Sequence, residues 1–90
     1  MNDKTLQKIR AELEKVVADK QMFADTVVRI NGDTSNGLIS VHYDGGGYDW
    51  LSMSMGSIAD FYRGKLFAIA EKHGCYFEDY ASYRMDMFLN

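Results

Sequence analysis

The sequence predicts an α+β domain with two layers, in which two helices cover one face of a three-stranded antiparallel sheet. Apolar residues recur at helical spacing in two stretches and alternate with a period of two between them, and glycine-rich segments separate the alternating runs. The predicted order is α-β-β-β-α, followed by a C-terminal extended segment. Because 90 residues suit one domain, residues 1–90 are expected to form a single domain.

The first helix is predicted between Thr5 and Lys20. Apolar side chains recur there at steps of three and four residues, while lysine, arginine and glutamate occupy most of the other positions. The apolar residues are Leu6, Ile9, Leu13, Val16 and Val17. This stripe is typical of a helix that packs on a sheet.

Two strands are predicted after this helix. Residues 27–30 have a period of two and are mostly β-branched, and residues 38–43 alternate in the same way. The segment between them, residues 31–37, contains two Asn-Gly pairs, which readily adopt positive φ. The two strands should therefore form a hairpin.

A third strand is predicted over residues 48–55, after a flexible hairpin turn at residues 44–47. The turn has the sequence Asp-Gly-Gly-Gly. Alternation would place Leu51 and Met53 on the face that the helices cover and Trp50 on the opposite face. Trp50 is therefore expected to be exposed.

A second helix is predicted from Ser57, where Ser57 and Asp60 resemble a capping box, to a stop at Gly74. Its apolar stripe consists of Ile58, Phe61, Tyr62, Leu66 and Ile69. Residues 75–90 alternate like a strand but also fit a helix, and the extended form is favoured. The expected core includes Leu13, Val28, Val41, Met53 and Ile69.

The amino-acid composition indicates a folded protein and favours a particular cellular compartment. The chain is 47% hydrophobic and 26% charged, which is typical of a folded protein. Its single cysteine, Cys75, cannot form an internal disulfide, so a reducing compartment is expected. No leader or membrane-spanning run is visible, which favours a cytoplasmic location without membrane binding.

No catalytic, cofactor or metal constellation stands out in the sequence. His42 and Asp44 could pair, but no nucleophile accompanies them, and His73 with Cys75 supplies only two of the four ligands of a structural zinc site. The glycine loop at residues 44–47 precedes a predicted strand and carries acidic neighbours, which disfavours phosphate binding. The chain is therefore expected not to be an enzyme and to have no cofactor or metal.

Acidic charge is concentrated in the middle and at the end of the chain. The formal net charge is −3; residues 21–56 carry one basic and four acidic side chains, and residues 75–90 carry one and three. Direct nucleic-acid binding depends on Lys and Arg and is disfavoured here. The charge instead favours a larger protein with a basic surface as the partner.

The candidate partner-binding residues are acidic residues and aromatic residues near turns. Four of them surround the glycine turn, and tryptophan and tyrosine are frequent anchors at protein interfaces. The complete set is Asp33, Asp44, Tyr48, Asp49, Trp50, Glu78 and Asp79.

The order α-β-β-β-α over residues 5–74 resembles the double-stranded-RNA-binding domain. That family binds RNA through its first strand loop and a lysine-rich start of its second helix. In this chain the corresponding segments, residues 31–37 and 56–60, contain no lysine. The resemblance therefore extends to topology and not to RNA binding.

The same architecture resembles small phage-encoded anti-CRISPR inhibitors. The shared features are a short acidic chain, an N-terminal helix, Asp-bearing turns, and an acidic tail that begins Glu78-Asp79-Tyr80. The resemblance implies an inhibitor that blocks a Cas effector by imitating the charge of DNA, and a host-cell cytoplasmic location if the chain is phage-encoded.

A second class of function remains open. The chain could be a small ligand-binding or enzymatic domain whose site is completed by homo-oligomerisation. This alternative predicts a stable oligomer, whereas an inhibitor could be a monomer or a homodimer. Chromatography with light scattering separates the two.

Overall fold

The protein is an α+β fold in the computed structural model, which describes residues 1–31 and 37–90. In chain order the elements are α1 (Asp3–Val17), β1 (Val27–Ile30), β2 (Ile39–His42), α2 (Tyr48–Leu51), α3 (Asp60–Lys72), β3 (Cys75–Ala81) and β4 (Arg84–Leu89). Two 3-10 segments, Gln21–Phe23 and Met53–Ala59, precede β1 and α3. The predicted fold class is confirmed. In the part of the chain described, no helix has the length and apolar character needed to cross a membrane.

The first helix forms where its apolar stripe predicts it. Asn2 caps its start, because the Asn2 side-chain oxygen accepts a hydrogen bond from the Thr5 backbone N–H at 2.9 Å. The stripe faces the interior and buries Leu6, Ile9, Leu13 and Val17. Helix α1 packs against β1 and α3, so its apolar face closes one side of the core.

The sheet of the described chain has four antiparallel strands in the order β1-β2-β4-β3. β1 and β2 pair as the predicted hairpin, with Val28 opposite Val41. The C-terminal stretch is extended, which is the form that the sequence favoured. It forms a second hairpin, β3 and β4, in which β4 pairs with β2. The prediction of a meander of three consecutive strands is therefore wrong for the third strand, because β4 and not residues 48–55 lies beside β2.

The third strand predicted at residues 48–55 does not form. The segment instead contains α2 and the start of a 3-10 segment, in which the backbone hydrogen bonds are local. The Gly47 carbonyl accepts from the Leu51 N–H at 3.0 Å, and the Ser52 hydroxyl accepts from the Ser54 N–H at 3.1 Å. Trp50 thus lies on a short helix rather than on a strand.

The glycines before α2 allow the backbone to pack closely, rather than forming a flexible hairpin turn. A Cβ at Gly46 would lie 2.9 Å from the Met22 carbonyl oxygen, and one at Gly47 would lie 2.5 Å from Thr26 Oγ1. These distances are shorter than van der Waals contact, so only glycine fits without movement. The loop is therefore held against the segment that leads into β1.

Gly47→Ala and Gly64→Ala are expected to change stability in opposite directions. The new methyl group at Gly47 would also lie 3.0 Å from the Phe23 ring, and overpacking of this kind costs about 1–3 kcal/mol. Gly64 lies inside α3, and no atom lies within 4 Å of the position that a Cβ would take there, so alanine should stabilise the helix by about 0.5–1 kcal/mol. Urea unfolding of both variants measures the difference, and a stabilising Gly47→Ala would contradict the close packing.

Helix α3 begins three residues later than predicted. Asp60 is its first residue, and Ser57 lies in the preceding 3-10 segment, where Gly56 interrupts the helical backbone with a φ of 57°. The helix ends at Lys72, and Gly74, at a φ of 71°, confirms the predicted stop. Two residues of the predicted apolar stripe are exposed: Ile58, which lies in the 3-10 segment, and Phe61, in the first turn of α3.

The core lies between the two long helices and one face of the sheet. Its largest fully buried side chains include Ile9, Leu13, Tyr43, Leu66 and Met87. Of the five predicted core residues, Leu13, Val28 and Val41 are buried and Ile69 is partly buried. Met53 is 50% exposed, so its placement in the core is wrong, because the strand on which it depended does not form.

Glu12 joins α1 to the end of α3. Its carboxylate contacts the Lys72 ammonium and lies 2.6 Å from His73 Nε2. The hydrogen bond from Lys72, followed by that from His73, lowers the pKa of Glu12 below its ordinary value of 4.5. His73 therefore contacts a carboxylate at the helix terminus, where a cation is favoured.

Glu12→Gln should remove a pH-dependent contribution to stability. Since the pKa of Glu12 is lower in the folded state, its ion pairs stabilise the fold above the ordinary value of 4.5 and are lost as the pH falls below it. With solvent screening, wild type should exceed Glu12→Gln by about 0.5–1 kcal/mol at pH 7 and by almost nothing near pH 2. Urea unfolding at the two pH values measures this difference. Glu14→Gln, which removes a more exposed pair with Arg10, is the matched control and should have a smaller effect.

Candidate protein-binding surface

Three acidic residues, Asp25, Asp44 and Asp49, lie at or next to the glycine loop that precedes α2. A Cβ at Gly45 would lie 3.1 Å from Asp25 Oδ2, so the Asp25 side chain rests against the glycine that follows Asp44. Asp49 is in the first turn of α2, and all three residues are exposed. We call Asp25, Asp44 and Asp49 the acidic cluster. None of them forms an ion pair with another residue in the described part of the chain.

An aromatic ridge begins beside the acidic cluster and consists of Trp50, Tyr62 and Phe61. The Trp50 and Tyr62 ring centroids are 6.4 Å apart and the Tyr62 and Phe61 centroids 5.0 Å apart, both with edge-to-face geometry. Trp50 is 39% exposed and Phe61 64% exposed. Exposure of Trp50 was expected from the sequence, although on a strand.

A ring contact between Tyr62 and Phe23 connects the ridge to the core. The Tyr62 ring meets the buried Phe23 ring at a centroid distance of 5.0 Å and an angle of 86°. Phe23 lies in the 3-10 segment against which Gly47 packs. The ridge residues are therefore held by side chains from three separate segments, which reduces the conformational entropy lost on binding.

Tyr48 begins α2 and is half-buried, whereas Trp50 of the same helix is exposed. The nearby hydroxyl groups of Ser54, Ser82 and Ser52 lower the pKa of its phenol. No ring contact joins Tyr48 to the ridge among the described residues.

Glu78 and Asp79, predicted together as an acidic tail, lie on opposite faces of β3. Glu78 is paired in register with Asp86 and is exposed on the face without helices. The Asp79 carboxylate instead accepts two hydrogen bonds of 2.8 Å from Arg63 of α3. The two residues therefore cannot contact one partner as a continuous acidic tail. Asp33, the remaining candidate, lies outside the described residues.

The surroundings of His42 do not favour the His42–Asp44 pair that the sequence suggested. His42 is half-buried opposite Arg84, and burial, followed by the charges of Arg84 and Arg29, lowers its pKa. The lowered pKa of His42 and the two neighbouring arginines disfavour the imidazolium form that an ion pair with Asp44 would need. Within residues 1–31 and 37–90, no group of three or more His, Cys, Asp or Glu side chains could hold a metal ion.

The sequence prediction did not include Phe61 or Asp25 in the surface, although the sequence contains a signal for the exposure of one aromatic ring. Phe61 and Tyr62 are adjacent in a helix, so they cannot both point into the core that Leu66 and Ala70 occupy. One of the two aromatic rings had to be exposed. The approach of Asp25 to Gly45 depends on tertiary packing and has no local signal in the sequence.

Comparison of the chain with protein-family models, with curated proteins and with solved structures gave no match.

Proposed function

We propose that this protein binds and inhibits a larger nucleic-acid-handling protein by placing the acidic cluster and the aromatic ridge on a basic surface of that protein. The observation that carries this proposal is the adjacency of Asp49 and Trp50 on the exposed turn α2. This turn presents a carboxylate and an indole ring side by side. Tryptophan is enriched among the anchor residues at the centres of protein interfaces, and polar groups form the rim around them.

The charge state of the acidic cluster supports a basic partner. Because its carboxylates form no ion pairs within the described chain, none has to be broken before they pair with Lys or Arg of the partner. The carboxylates would speed association by electrostatic steering, whereas burial of Trp50 and Phe61 would slow dissociation. The two parts of the surface thus have separable kinetic effects.

The partner class proposed is a Cas effector, as the resemblance to anti-CRISPR inhibitors suggests. Its DNA-binding channel is positively charged and would accept a carboxylate cluster in place of phosphates. The protein would act in the cytoplasm, that of the host cell if it is phage-encoded. It would bind the effector directly and would not bind nucleic acid.

The proposal predicts different kinetic effects for two kinds of variant, measured by surface plasmon resonance against a panel of purified Cas effectors. Trp50→Ala should speed dissociation roughly 30-fold, which corresponds to about 2 kcal/mol for a true anchor. Asp44→Asn combined with Asp49→Asn should slow association and flatten its dependence on salt. Inhibition of DNA cleavage by the bound effector should weaken in parallel.

The matched control is Asp3→Asn combined with Glu71→Gln, which removes the same charge from exposed positions outside the cluster. It should retain wild-type dissociation and most of the wild-type association rate. Failure of every effector in the panel to bind would contradict the inhibitor proposal. Wild-type kinetics in both test variants would contradict the assignment of the surface and would favour the exposed Glu78 face.

A further inference from the structure

A concave surface lies between α1 and α3, next to the Phe61 and Tyr62 rings of the aromatic ridge. It has a volume of about 590 Å³, within the range of small-molecule sites. Val16 and Ile69, both partly buried, provide apolar surface from the two helices, and the Phe61 and Tyr62 rings border it. We call this concave surface the interhelical groove.

Three lysines line the interhelical groove. Lys15 and Lys20 approach from the α1 side, and Lys65 from α3. In the described chain none of the three forms an ion pair. The Lys65 ammonium lies 4.9 Å from the Phe61 ring centroid, a cation–π contact that leaves its charge uncompensated.

The carboxylate that borders the groove is already paired. Glu12 lines it at the end near the C-terminus of α3, where Lys72 and His73 contact its carboxylate. The groove is therefore positive in a chain whose net charge is −3. Apolar walls combined with unpaired ammonium groups match a ligand that has an apolar body and an anionic group.

The size of the groove favours a small molecule over a protein segment. From Phe61 to Ile69 it extends over eight residue-to-residue steps of α3, or about 12 Å at 1.5 Å per step. A stable protein interface typically uses about 20–30 residues on each side, far more than those that line this groove. A short alkyl chain or a fused aromatic ring system has the corresponding length.

We propose that the interhelical groove binds a small amphipathic anion, which is a molecule with a short alkyl or aromatic body and one carboxylate, sulfonate or phosphate group. The apolar body lies along Val16, Ile69 and the Phe61 ring. The anionic group lies among the ammonium groups of Lys15, Lys20 and Lys65. The groove shares the Phe61 and Tyr62 rings with the aromatic ridge, but it uses charges of opposite sign and does not require the acidic cluster or Trp50.

Octanoate and 1-octanol, which have the same chain length, test the proposal by displacement of the fluorescent anion 8-anilinonaphthalene-1-sulfonate. The sulfonate should bind at one site per chain, and octanoate should displace it. Octanol should displace it at least tenfold more weakly, because it lacks the charge that the lysines attract. Higher salt should weaken the binding of octanoate more than that of octanol.

Lys20→Gln combined with Lys65→Gln should reduce the affinity for octanoate at least tenfold. The matched control is Lys4→Gln combined with Lys8→Gln, which removes two exposed lysines of α1 that do not line the groove and should bind like wild type. Thermal midpoints of all variants verify folding. Both variants keep the acidic cluster and the three ring side chains of the ridge, although Lys65→Gln removes the cation–π contact on Phe61. The octanoate assay contains no partner protein, so the groove proposal and the partner-binding proposal can fail independently.

Four results would overturn the proposal. The first is the absence of saturable binding of either anion, and the second is equal displacement by octanol and octanoate. The third is wild-type affinity in the Lys20→Gln, Lys65→Gln variant. Binding only to vesicles that contain phosphatidylglycerol, with none to octanoate, would likewise overturn it, because a flat cationic surface and not a groove would then be the site.

Discussion

Leu13→Ala is expected to lower the free energy of unfolding by about 3–5 kcal/mol. Leu13 is fully buried in α1, between Ile9 and Val17 on the stripe that meets the sheet and α3. Truncation removes the transfer free energy of the lost methyl groups and leaves a cavity. Since a domain of this size has a total stability of about 5–10 kcal/mol, the variant should be partly unfolded at 37 °C.

Urea unfolding followed by circular dichroism measures this loss, and Lys8→Ala on the exposed face of α1 is the matched control. The control should change stability by no more than about 0.5 kcal/mol. A loss below 1 kcal/mol for Leu13→Ala would contradict the assignment of α1 to the core. Ile69→Ala should cost less than Leu13→Ala, because Ile69 is only partly buried and borders the interhelical groove.

The first half of the chain was predictable because its signals are local. The stripe of α1 has a clear helical period, and residues 27–30 and 38–43 have a clear period of two with turn residues between them. Each pattern is consistent with a single element, and the α1 helix and the β1–β2 hairpin form as expected. Tertiary packing did not need to override either signal.

Residues 48–55 show why the rest could not be predicted in the same way. Leu51, Met53 and Met55 alternate, but the structure buries Leu51 and exposes Met53. The deciding contacts are those of Gly46 and Gly47 with the Met22–Thr26 segment, which is distant along the chain. A period of two over eight residues does not contain that information.

The C-terminal hairpin was predictable as extended chain but not as part of the sheet. The alternation of Met85 and Met87 indicated a strand, whereas the pairing of Met85 with Val41 joins residues more than 40 positions apart. The pairing of β3 with β4 places Glu78 and Asp79 on opposite faces of the same sheet. The candidate site was predictable to the same degree: the grouping of Asp44, Asp49 and Trp50 is local, whereas Asp25 and the ridge join it through the fold.

Arg63→Met is the other substitution for which a large loss of stability is expected, about 2–4 kcal/mol. The Arg63 side chain is 13% exposed, and its Nη1 donates to the Leu51 carbonyl oxygen at 2.9 Å as well as to Asp79. The bidentate bond with Asp79 raises the pKa of the guanidinium, and the group lies 5.0 Å from the Phe67 ring centroid. One side chain thus connects α3 to β3 and to α2.

The methionine variant would leave the Asp79 carboxylate and the Leu51 carbonyl without their hydrogen-bond donor. Loss of one partner of a largely buried ion pair is more costly than removal of both charges, because the remaining charge stays desolvated. Arg63→Lys should recover only part of the stability, since an ammonium group cannot form the bidentate contact.

A double-mutant cycle of Arg63→Met and Asp79→Asn tests this role by urea unfolding. The double variant should be more stable than the sum of the two single losses implies, with a coupling free energy of about 1–2 kcal/mol. Additive losses would contradict the connecting role of Arg63. The Asp79 carboxylate also matters for partner binding. Because Arg63 holds it by two hydrogen bonds, it is less available to a partner than the carboxylates of the acidic cluster. Asp79→Asn should therefore lower stability while it changes the kinetics of partner binding far less than Asp44→Asn with Asp49→Asn.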